Sequence, residues 1–214
     1  MDDDDIFSND AFLKINSLIN NKDIKKYPVV SFLRSNAKVF YNEEFYVYSF
    51  DDLLKNKIAG DLCQVINREL WLNNNYEFPT AKIGAELLLW FKVAIDYGYP
   101  VVSEIIVELL DDADGRLTDF SYQITRSEMF AEYQVDIINN FKDEILRTNN
   151  EQYLVSKYKG AITYYLLAGN KMKAKEFIRE LNKYDKKSGV IFTGLLRLHS
   201  NIIKKIFVSY RKWR

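Results

Sequence analysis

Two residues of this 214-residue sequence, the single His199 and the single Cys63, are of types that commonly carry chemistry, and their neighbours decide what each could do. A histidine can act as a general base or ligate a metal. His199, however, stands on a stripe with Leu195, Leu196, Ile202 and Ile203. A core-edge imidazole is expected there. Cys63 lies between Leu62 and Val65-Ile66 with no basic residue beside it, the setting of a buried structural thiol rather than of an activated thiolate. No Ser/His/Asp set, Cys/His zinc spacing or Gly-rich phosphate-cradling loop completes either one, so no enzyme, no metal site and no cofactor is expected.

Carboxylates are the more numerous candidates. Asp111-Asp112-Ala113-Asp114-Gly115 invites a calcium-loop reading, but placing Gly115 at the glycine position of an EF-hand puts the first and last ligand positions on Leu110 and Ser121. Neither residue offers a carboxylate. Glu128, Glu132 and Asp136 are spaced to share one helix face, and a carboxylate-bridged metal site would need a facing Glu-x-x-His that the sequence lacks. Like charges at that spacing repel. Something basic must therefore face them, either the lysine-rich segment 171–187 or a basic partner. Asp111, Asp112, Asp114, Glu128, Glu132 and Asp136 are accordingly the candidates for an acidic protein-binding surface. The alternative set is basic and interleaved with aromatics: Lys157 and Lys159 around Tyr158, Lys183, Lys186 and Lys187 around Tyr184, and Arg211, Lys212 and Trp213. Those residues would meet phosphates and stack on the bases of a nucleic acid.

Charge along the chain separates the two sets. The 30 Lys+Arg balance the 30 Asp+Glu, yet residues 1–154 hold 15 basic and 27 acidic residues, a net −12. Residues 155–214 hold 15 basic and three acidic, a net +12. Either folding brings the opposite charges together as solvated faces, or one of them steers a partner of the other sign. The longest apolar runs fall far short of a membrane span, and the acidic start is unlike a basic signal sequence. One cysteine excludes a disulfide framework, and a cytoplasmic setting without membrane contact is expected.

The elements that must position these residues read as helices. Pro79 and Gly98 bracket a helix over 80–97, and Pro100 opens a second over 100–110, where Val102, Ile105, Ile106, Leu109 and Leu110 keep helical spacing. Further helices are expected over 10–20, over 49–72 from a Ser49/Asp52 capping box, and over 118–147 with a break near 125–127. Helices over 151–168, 171–184 and 190–213 follow, separated at Gly169 and Gly189. A small β-hairpin over 39–48, around Asn42-Glu43-Glu44, is the one strand signal.

The segment 158–184 resembles a tetratricopeptide-type α-hairpin, with Tyr165, Gly169, Ala174, Ile178 and Leu181 at that repeat's aromatic, turn, small and core positions. Ile162 and the lack of a following proline depart from the pattern. The resemblance implies stacked α-hairpins with a surface for a protein or peptide. Together these observations predict a mainly all-α domain of stacked antiparallel hairpins over 1–214, with an acidic flexible tail at 1–9 and a basic subregion at 155–214. The expected function is non-enzymatic protein binding, most specifically an immunity- or antitoxin-type inhibitor whose acidic surface neutralises a basic, nuclease-like toxin. Nucleic-acid binding through the basic third is the alternative.

Overall fold

A computed structural model describes residues 5–20, 24–39, 41, 43–80, 83–109 and 120–212. The chain divides into two compact units: Met1–Pro79 with Ala85–Asp114, and Thr80–Gly84 with Gly115–Arg214. Helix accounts for 57% and strand for 18% of the structure, and the strands form a curled, half-barrel sheet. The expectation of a mainly all-α fold of stacked antiparallel hairpins is therefore wrong, and the chain is an α/β fold.

That unit runs β1 (Asp5–Phe7), α1 (Ala11–Ile19), β2 (Val29–Arg34), β3 (Lys38–Val39), β4 (Phe45–Tyr48), α2 (Phe50–Leu54), β5 (Ile58–Ala59), β6 (Leu62–Ile66), α3 (Arg68–Asn73), α4 (Ala85–Tyr97) and β7 (Tyr99–Leu109). The sheet is mixed. β7 runs parallel to β2 along one edge, and its other edge is shared by β4, opposite Tyr99 to Val102, and β1, opposite Val107 to Leu109. β6 pairs antiparallel with the far side of β2. A core of Ile24, Phe32, Val102, Ile106 and Val107 lies under α1, whose Ala11 is fully buried in it.

The segment expected as a second helix is thus the central strand, and the cause is visible in its register. Phe32 pairs with Val102 but Leu33 pairs with Ile105, so a bulge inserts extra residues into β7. The side-chain alternation slips there, burying Val101, Val102, Ile106 and Val107 while exposing Ser103 and Ile105. A bulged strand thereby imitates the spacing of a helix. The β-branched content of the segment favours the strand. Gly98 does end α4 as expected, at φ +80, and a Cβ there would lie 2.5 Å from Val47 Cγ1. It leads from helix into strand rather than into a second helix.

Two other expectations change for related reasons. The expected helix over 49–72 is broken into α2 and α3, and the capping box of α2 is real, with Ser49 Oγ accepting from the Asp52 amide at 3.1 Å and Asp52 Oδ2 from the Ser49 amide at 3.0 Å. Asn56 at φ 52 and Gly60 at φ +85 then turn the chain into β5 and β6, where Cys63 sits. The hairpin over 39–48 does not form, because β3 pairs with β5 while β4 pairs with β7. The long edge of β7 supplies β4 with four partners, which a two-residue strand cannot. Residues 5–7, within the stretch read as an acidic tail, are strand β1.

The second unit is helical: α5 (Phe120–Thr125), α6 (Ser127–Arg147), α7 (Glu151–Leu167), α8 (Lys171–Leu181), α9 (Lys186–Leu195) and α10 (Ser200–Lys212). Here α6 packs on α7, α7 on α8 and α8 on α9, while α10 packs back on α7, and Ile137, Ile145, Leu154, Ala161 and Ile162 are fully buried. Gly169, at φ +80, turns α7 into α8, and Tyr165, Ala174, Ile178 and Leu181 are all buried in that hairpin. Gly189 does not separate helices. It lies buried inside α9, where a Cβ would overlap the Asn182 side chain, so the glycine permits a close approach. The interruption falls instead at 196–199, and the helix expected over 190–213 is split between α9 and α10.

Candidate functional site

In the first unit Asp5 pairs with Leu109 across the antiparallel β1–β7 ladder. The candidates Asp111, Asp112 and Asp114 lie outside the described residues. Asp5 itself is buried and committed, its Oδ2 2.9 Å from Arg34 Nη1 on β2. Lys14, on α1, is likewise held between Asp10 at 3.1 Å and Glu104 at 3.2 Å.

An aromatic cluster that sequence reasoning missed stands in the same unit. Trp71 lies 5.5 Å from Tyr76 and 5.9 Å from Phe78, Phe78 lies 5.9 Å from Trp90, and Trp90 lies 6.1 Å from Tyr99. Tyr76 donates its hydroxyl to Asp96 Oδ2 at 2.7 Å, and burial with this carboxylate pushes the phenol far above its ordinary range. The signal was present as seven aromatics from position 71 to position 99, but aromatics at mixed spacing read as core.

In the second unit the acidic face of α6 meets a basic helix. Glu132 lies 3.6 Å from Lys173 of α8, and Asn170, which caps α8, donates to Glu128 Oε1 at 3.2 Å. Asp136 is half-buried beside Glu132, and burial first, then that neighbouring charge, raises its carboxyl above the usual range. The lysine-rich segment is thus the counterpart of the face, as its repulsion demands. Among the described residues no three His, Cys, Asp or Glu are grouped to hold a metal ion.

The basic candidates are dispersed. Lys159 pairs with Asp185 at 2.8 Å and Lys183 with Glu180 at 2.7 Å. The Lys159 ammonium, then the Ser188 hydroxyl and amide, hold the Asp185 carboxyl well below the usual range. Lys157 lies with its ammonium 4.5 Å from the Tyr153 ring centroid, and burial pulls it down to about 8. Lys186 and Lys187 are exposed at the start of α9. Arg211 and Lys212 belong to the last turn of α10, while Trp213 lies outside the described residues. His199 is exposed in the link between α9 and α10, its Nδ1 accepting from the Asn201 amide at 3.3 Å, so it does not sit on a buried stripe. The Cys63 thiol is half-buried, and burial raises its pKa, which leaves it a poor nucleophile.

An open cleft of about 510 Å³ is lined by Asn139, Lys142, Asp143, Tyr158, Phe177 and Glu180. Its lining is mostly polar and of both signs, so it favours no one ligand charge. No described helix is long and apolar enough to cross a membrane. No protein-family model matches the chain, and no curated protein and no solved structure is similar to it.

Proposed function

We propose that this chain is a non-enzymatic protein-binding module whose acidic unit recognises a basic partner. Its most specific form is a cytoplasmic immunity- or antitoxin-type inhibitor of a cationic, nuclease-like toxin. The observation that carries the reading is that charge divides with the folding units. Met1–Pro79 with Ala85–Asp114 holds 10 Lys+Arg against 20 Asp+Glu, net −10, and Thr80–Gly84 with Gly115–Arg214 holds 20 against 10, net +10. A field of one sign over a whole unit speeds the approach of an oppositely charged partner. Nucleic acid through the basic third is less well supported, because Lys159 and Lys183 are held in ion pairs.

The test is capture of a partner followed by reconstitution of the purified pair. Association should slow at least about tenfold between low and high salt, as steering predicts. A partner bound with equal speed at both, or an acidic one, would sink the reading.

A further inference from the structure

The C-terminal helices of the second unit leave large aliphatic side chains in water. On α9, Lys187, Val190, Ile191 and Gly194 share one face by their helical spacing. Val190 is 71% and Ile191 64% exposed, and no atom lies within 4 Å of where a Gly194 Cβ would stand. On α10, Ile203 is buried, while Ile202 and Ile206, one turn apart, are 48% and 46% exposed beside the exposed Lys205. The aliphatic side chains of these two helices are therefore only partly covered. Residues 186–214 moreover contain eight Lys+Arg and no Asp or Glu.

We propose that α9 and α10 form a docking surface for an anionic phospholipid membrane, lying on it rather than crossing it. The argument rests on what each side-chain type gains. Valine and isoleucine neither stack on bases nor pair with phosphates, so on a nucleic acid they stay in water. They gain free energy by entering an acyl boundary. The lysines gain only near negative charge, which a neutral apolar groove of another protein does not offer. An anionic bilayer surface satisfies both.

Sedimentation of the full chain with lipid vesicles tests this. The chain should pellet with phosphatidylcholine vesicles containing about 30% phosphatidylglycerol and stay in solution with pure phosphatidylcholine. Val190→Ser with Ile191→Ser, and separately Ile202→Ser with Ile206→Ser, should each weaken partitioning about tenfold at unchanged net charge, while Ile191→Leu keeps it. All four substituted positions are exposed, so the variants should retain wild-type circular dichroism. Failure to pellet with the anionic vesicles at low salt overturns the proposal. So does serine-variant binding equal to wild type, or tighter binding to single-stranded oligonucleotide that the serine changes leave untouched.

Discussion

Lys157 holds its ammonium over the Tyr153 ring, half-buried on α7, and that position turns a sequence candidate for phosphate contact into a titration probe. Its folded pKa of about 8 lies below the ordinary lysine value of 10.5, so between those limits the unfolded chain binds a proton that the folded chain has released. Stability contributed by this group therefore rises as pH increases through that window. Lys157→Met should remove the rise and stabilise the fold at pH 7 by about 1–3 kcal/mol, since the desolvation cost disappears while the apolar stem remains. Urea denaturation of both proteins at pH 7 and near pH 10 reads the difference, and a variant less stable at pH 7 would contradict it. Asp185 obeys the opposite sign. Its depressed pKa means that its contribution is present above the ordinary aspartate value and is lost as pH falls through the folded one. The sequence marked Lys157 only as a phosphate-contact candidate and Asp185 not at all, because burial of Lys157 and the reach of Lys159 to Asp185 depend on how α7 meets its neighbours.

At the scale of elements, the junction from α4 into β7 is where the first unit is decided. Gly98→Ala places a Cβ in a left-handed backbone and against Val47, so it should cost about 2–4 kcal/mol in denaturant unfolding. Adding Val47→Ala relieves the overlap but not the backbone strain, so it should recover only part of the loss. The same junction shows what was legible. Helix ends were readable where one residue enforces them: Gly98, Gly169, Asn170 and the Ser49/Asp52 box all act as their types dictate. The identity of 99–109 was not, because the bulge opposite Phe32 and Leu33 sets which side chains are buried, and its position belongs to β2 as much as to β7. Gly189 misled for a similar reason. A glycine that breaks a helix and a glycine that lets Asn182 pack against one are the same letter.

For the whole molecule, neutrality is the balance of a unit at −10 and a unit at +10. If each field reaches solvent, the chain should be retained at pH 7 and low salt on both anion- and cation-exchange resins, and released from both once the screening length falls to about 10 Å near 0.1 M salt. Passage through both columns at low salt would mean that the charges mask each other. The charge arithmetic, the lone cysteine and histidine and the turn from α7 into α8 at Gly169 were determined by the sequence itself. Each follows from counts or from contacts a few residues apart, which any fold of the chain must honour. What only tertiary structure decided was the sheet and the exposure of Val190, Ile191, Ile202 and Ile206. Those depend on pairings such as Asp5 with Leu109, where hydrogen bonding and burial between distant segments outweigh local helical preference.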